Sequence, residues 1–138
     1  RCTPMEYSPW VVPRTLTLGH IMKSIRAIRI YKGYISSLLV FIPFIVATAK
    51  LTFFYHGCMD GFGHAIFASL IIVFAGGPLS ALCVLAALVE AWSFIPKLDE
   101  SERIHYAIGH FLALCAIPLA VWITTETVNG NFAVFSFR

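Results

Sequence analysis

Residues 64–95 read HAIFASLIIVFAGGPLSALCVLAALVEAWSFI. From Ala65 to Val89 the chain runs for 25 residues without one charged side chain. A helix on the surface of a soluble core carries a polar face, and this stretch carries none. An uncharged run of this length matches the ~20 residues a helix needs to cross a hydrocarbon layer of ~30 Å. Gly76, Gly77 and Pro78 lie near its middle, which a membrane helix tolerates when neighbouring helices satisfy the freed backbone groups. At ~1.5 Å per residue a fully helical 64–95 would be roughly 48 Å long. It is therefore expected to tilt, to kink at Pro78, or to protrude past Glu90.

Two further apolar runs flank it. Upstream, Gly33 to Tyr55 reads GYISSLLVFIPFIVATAKLTFFY. Pro43 lies inside this run, Lys50 sits where it can snorkel to the interface, and Tyr34 and Tyr55 mark its ends as an aromatic belt does. Residues 56–64, HGCMDGFGH, form a tight connector. Downstream, Pro96 closes the central run, and PKLDESER at 96–103 is a charged connector. Ile104 to Ile123 is the third run, with Pro118 inside and Ser101 expected as its cap among acidic residues suited to a helix start. The expected fold is an all-α integral membrane protein with three transmembrane helices near 34–55, 65–92 and 104–124.

The flanks read differently. Residues 14–32 repeat Leu18, Ile21, Met22, Ile25 and Ile28 at helical spacing, with Lys23, Arg26, Arg29 and Lys32 between them. This predicts a basic amphipathic interfacial helix whose cations meet anionic lipid headgroups; the same pattern equally suits a helix packed on a neighbouring subunit. Residues 1–13 contain three prolines and predict an extended N-terminal arm, with Trp10 as an anchor at the interface or on a partner. Residues 127–138 form an extended C-terminal tail carrying Phe132, Phe135 and Phe137. The expected division is thus 1–13, 14–32, a three-helix domain over 33–126, and 127–138. Residue 1 is Arg, which fits a processed or truncated start.

Composition agrees with a lipid solvent. Of 138 residues, 59% are hydrophobic and 12% charged, and the mean hydropathy is +0.81. A soluble domain carries about 25% charged residues. Three spans leave little chain for a soluble catalytic domain and few surfaces to support nucleic-acid binding. With three spans, the N-terminal side and the 96–103 connector share one face of the membrane. That side holds Arg1, Arg14, Lys23, Arg26, Arg29, Lys32, Lys97 and Arg103, against Lys50 and Arg138 on the other. Positive charge collects on the cytoplasmic, matrix or stromal side, so the N-terminus is expected there.

Catalytic signatures are absent: there is no G-x-S-x-G, P-loop, H-E-x-x-H or G-x-G-x-x-G. Cys2, Cys58, Cys83 and Cys115 form no C-x-x-C pair, and no metal site is expected from them. Ionisable residues in a span are functional candidates by default. Here they fall in two layers, with Lys50, His56, Asp60 and His64 on the outer side and Glu90, Arg103, His105 and His110 on the inner. His64 and His110 are the candidate cofactor ligands, for a haem b, quinone or chlorophyll shared with a partner. They start from opposite membrane faces, so they cannot ligate one iron together. His105 and His110 lie about 140° apart around one helix and cannot do so either. Glu90 and His110 form a candidate intramembrane polar pair. It would act as a proton relay or quinone contact, or merely fix the register of two helices. A Glu90–Arg103 contact would serve equally for register.

The stretches Tyr55-His56-Gly57 and Gly61-Phe62-Gly63-His64 resemble the His–Gly motif of succinate dehydrogenase membrane anchors, without that family's later Asp-Tyr. Tyr55-His56-Gly57 also stands near the Ala-His-Gly motif of three-span photosystem I subunits, with Tyr in place of Ala. Each resemblance covers only a few residues, and no family is assigned from either. The expected function is a non-catalytic accessory subunit of a multi-subunit energy-transducing complex, held by other membrane subunits and by bound lipids. The expected location is the mitochondrial inner membrane or, alternatively, the thylakoid, with no activity of its own outside an oxidoreductase complex. A succinate dehydrogenase-like anchor that contacts haem or quinone, and a small oligomeric transporter or channel, are the alternatives.

Overall fold

The structure is a computed structural model and describes residues 14–54 and 60–129. The expected arm with Trp10, the connector residues His56 and Cys58, and the tail beyond Asn129 lie outside the described residues. All regular structure among the described residues is helical: α1 (Arg14–Phe54), α2 (Asp60–Ile71), a π-helical turn (Ile72–Gly76), α3 (Gly77–Glu90), a short 3-10 turn (Ile95–Lys97) and α4 (Glu100–Val128). Three stretches are long and apolar enough to cross a membrane: Gly19–Lys50, Gly63–Glu90 and Glu100–Val128.

The boundary expected at residues 32 and 33 is not there. The basic segment and the first span form one helix of 41 residues. At ~1.5 Å per residue this is roughly 60 Å, about twice a hydrocarbon core, so the basic half is continuous with the span and not a separate helix. The reason is local: from Arg14 to Phe54 the only breaker is Pro43, and Gly33 alone costs about 1 kcal/mol against Ala in a helix, too little to end one.

The central span has its irregularity where the sequence placed it, as a π turn just before Pro78. Pro78 has no N–H to give to the carbonyl four residues back. The turn before it is wider: the Gly77 N–H bonds to the carbonyl of Ile72, five residues back. Such single-turn π segments are a common way for a helix to absorb a bend. The span ends at Glu90, and residues 91–94 turn toward the 3-10 segment. At α4 the expected cap is corrected. Asp99, not Ser101, is the N-cap, and Asp99 and Glu102 form a reciprocal capping box in which the Asp99 N–H donates to Glu102 Oε2 at 3.1 Å. Asp99 stands one residue before the first helical residue, the place where a side-chain oxygen reaches the free N–H groups, whereas Ser101 is already inside the helix.

Small residues let the helices approach closely, the usual route to helix association when lipid removes the hydrophobic drive. α4 presents Gly109, Ala113, Ala116 and Ala120, all buried. α1 packs most extensively on α4. The two cross so tightly that a Cβ on Gly33 would come within 2.5 Å of the Gly109 carbonyl carbon. The second span meets α1 at Gly76, where a Cβ would lie 2.7 Å from Val40 Cγ2 and 3.0 Å from the Leu39 carbonyl oxygen. That carbonyl is the one Pro43, lacking an N–H, cannot bond. Val40, Ile72, Ala116, Ala120 and Ile123 close the centre of the bundle. Phe67, Phe74, Leu82, Leu85, Leu88 and Val89 of the second span point outward and are exposed, as they must be when lipid surrounds the bundle.

Candidate functional site: a charged cluster at one end of the bundle

The charged side chains of the inner layer converge where α3 ends and α4 begins. Glu90 is the last residue of α3, and its side chain is only 14% exposed. Its two oxygens accept from three residues. Arg29 donates to Oε1 through Nε at 3.3 Å and Nη2 at 3.1 Å. Lys32 Nζ donates to Oε2 at 2.7 Å, and so does the Tyr106 hydroxyl, also at 2.7 Å. Arg29 and Lys32 lie three apart on α1, adjacent on one helix face, which is why one carboxylate can take both. Phe94 lies under the Arg29 guanidinium, 4.0 Å from ring centroid to Cζ, and holds it by a cation–π contact. A half-buried carboxylate at the end of an apolar span requires partners of this kind, because charge left unpaired in low dielectric is expensive.

A second ion pair lies one turn nearer the start of α1. Arg26 pairs with Glu102, the same residue that closes the α4 capping box. Arg26 Nη2 also reaches the Lys97 carbonyl at 3.5 Å. Arg103 does not approach Glu90. It donates to the carbonyls of Leu98 at 3.0 Å and Pro96 at 3.3 Å, pinning the connector to the start of α4.

Glu90 and His110 are linked through Tyr106 and not directly, so the expected pair is corrected to a chain of three. The Tyr106 ring stacks on the His110 ring at 4.0 Å between centroids and 28° between planes. His110 Nδ1 lies 2.7 Å from the Tyr106 carbonyl oxygen. A carbonyl only accepts, so Nδ1 carries the hydrogen, and in the neutral ring Nε2 is left bare. Nε2 is buried and has no hydrogen-bond partner among the described residues. His110 itself is 9% exposed. A macrocycle reaches Nε2 only if the helices around it part.

His64 lies exposed near the start of α2, at the opposite end of the second span from Glu90, so the structure does not bring it near His110. His105 turns away from the cluster, its ring 5.9 Å from Tyr31 and 6.5 Å from Tyr34. Among the described residues no group of three His, Cys, Asp or Glu side chains comes together as a metal site. Of the four cations assigned to lipid from the sequence, Arg29 and Lys32 face Glu90, Arg26 faces Glu102, and Lys23 has no ion-pair partner among the described residues. Sequence reasoning missed Tyr106 and Phe94. Tyr106 follows His105 and lies four before His110, a spacing that puts it over His110 on the helix and offered the signal.

The fold and this cluster define an all-α membrane protein of three spanning helices, tied at one end by ion pairs between the first helix and the other two. No family model, no curated protein and no solved structure matches the chain.

Proposed function

We propose that this chain is a non-catalytic accessory subunit of a larger assembly in an energy-transducing membrane, the mitochondrial inner membrane ahead of the thylakoid, with its N-terminus on the matrix or stromal side. The observation that carries this reading is the saturation of Glu90. The carboxylate of Glu90, which ends the second span, is taken by Arg29, Lys32 and Tyr106, as a group that locks helices together is, and is not left open for a proton or quinone. The exposed faces of the spans carry large apolar side chains such as Phe67, Phe74, Leu82, Phe111 and Trp122, as suits a subunit whose neighbours are lipid and other membrane helices. The sidedness rests on the excess of cations at this end.

Mild-detergent extraction followed by native electrophoresis tests it. The chain is expected to migrate with other membrane proteins in a complex whose electron-transfer turnover is unchanged by His64→Ala and falls only when the chain is removed. Migration as a 15.3 kDa monomer or as copies of itself alone overturns the proposal.

A second reading, the haem- or quinone-contacting anchor, is favoured by one feature, the bare Nε2 of His110. A histidine whose Nδ1–H is fixed by a carbonyl is oriented as a ligand through Nε2. A haem band lost in His110→Ala, in a complex that still assembles, would replace the first reading by this one.

A further inference from the structure

We propose that the groove between the N-terminal half of α1 and the 91–99 connection binds the phosphate of an anionic phospholipid. The groove encloses about 470 Å³. Its apolar wall is Met22, Ile25 and Phe94, and its polar rim is Lys23, Arg26 and Lys97, with Arg29 at its inner end. The two arginines are already matched, Arg26 by Glu102 and Arg29 by Glu90. Lys23 and Lys97 have no carboxylate within ion-pair distance among the described residues. Two ammonium groups with no carboxylate partner among the described residues therefore line one groove with an apolar floor, and the ligand that complements them carries negative charge on one end and hydrocarbon on the other.

Position selects a lipid over a soluble anion. The groove reaches Arg29, the partner of Glu90, where the uncharged run of the second span stops, and a charged end of a span is where lipid headgroups lie. Trp92 is 92% exposed on the same connection, the place an interfacial tryptophan occupies. Met22 and Ile25 are more than half exposed on the groove wall, which water disfavours and an acyl chain covers. Phe94 also holds Arg29 from below, so the floor of the groove is fixed by the Glu90 cluster. The site is independent of which assembly the subunit joins.

Native mass spectrometry on the full chain in detergent, titrated with phosphatidylglycerol or phosphatidylcholine, tests the assignment. Phosphatidylglycerol is expected to bind and phosphatidylcholine not to compete. In Lys23→Gln/Lys97→Gln the affinity for phosphatidylglycerol falls roughly 30-fold, the effect of two basic residues at a lipid surface. Both lysines are exposed and outside the ion pairs, so the variant keeps its helical circular dichroism. Lys50→Gln, near the far end of α1, binds as the parent does. Undiminished binding by the double variant, or equal binding of phosphatidylcholine, overturns the proposal. Displacement of the lipid by inorganic phosphate at equal concentration overturns it as well, since the groove would then be a site for free anions.

Discussion

Glu90 is the residue on which the inner end of the molecule turns. A carboxylate at 14% exposure is retained only if its lone pairs are filled, and here four donor atoms on three residues fill them. Glu90→Gln removes the negative charge and leaves Arg29 and Lys32 facing each other at the end of a span. We expect it to lower stability by about 2–4 kcal/mol, read as a shift in the thermal or denaturant midpoint in micelles. Tyr106→Phe removes one hydrogen bond to a charged acceptor and is expected to cost about 1.5–3 kcal/mol by the same measurement. If Glu90→Gln is as stable as the parent, the cluster is not what ties α1 to α3. The sequence marks Glu90, because an acid beside a long apolar run is conspicuous. It does not mark Arg29 and Lys32, which come from positions 61 and 58 residues away, and it favours His110 or Arg103 because those are near in the chain.

At the scale of the helix, glycine positions separate into two kinds. Gly33 and Gly76 are contact points, where an added Cβ meets backbone or a fixed side chain at 2.5–2.7 Å. Gly19 has nothing within 4 Å. Gly33→Ala is therefore expected to force α1 from α4 at a cost of about 1–3 kcal/mol, and Gly19→Ala to stabilise α1 by up to about 1 kcal/mol through helix propensity. Unfolding midpoints of the two variants should move in opposite directions. Equal shifts would mean that α1 and α4 are not in close contact at Gly33. Nothing in the local sequence distinguishes these glycines, since all three lie within helical segments. The π turn was half legible: Gly76, Gly77 and Pro78 announce a break, but its form depends on α1 passing against Gly76 and on Ala120 lying against Gly77.

The whole molecule is three apolar helices with the basic half of α1 and the 91–99 connection at one end. Hydrogen exchange in nanodiscs is expected to show three protected blocks within Gly19–Lys50, Gly63–Glu90 and Glu100–Val128, with faster exchange at 91–99. Fast exchange across Gly63–Glu90 would dismantle the architecture. For sidedness, a cysteine at Ser101, in a chain whose native cysteines are replaced, is expected to react with a membrane-impermeant thiol reagent from the inner side only. Ser101 is exposed at the start of α4, so failure to label from that side inverts the topology.

The sequence by itself determined that this is a helical membrane protein with three stretches long and apolar enough to cross, because crossing hydrocarbon demands long uncharged runs with every backbone group bonded inside the segment. That constraint acts on each stretch separately and can be read without knowing its neighbours. It also determined which end collects the cations. Only the tertiary structure decided what those cations do. Arg29 and Lys32 turn inward to Glu90, Arg26 turns to the α4 cap, and Lys23 and Lys97 are left outward. It decided too that residues 14–32 continue the first span as one helix, and that Tyr106 stands between Glu90 and His110. Each of these depends on the rotation and depth at which separate helices meet. Those are set by where small residues let backbones touch, and the sequence of one helix does not carry that information about another.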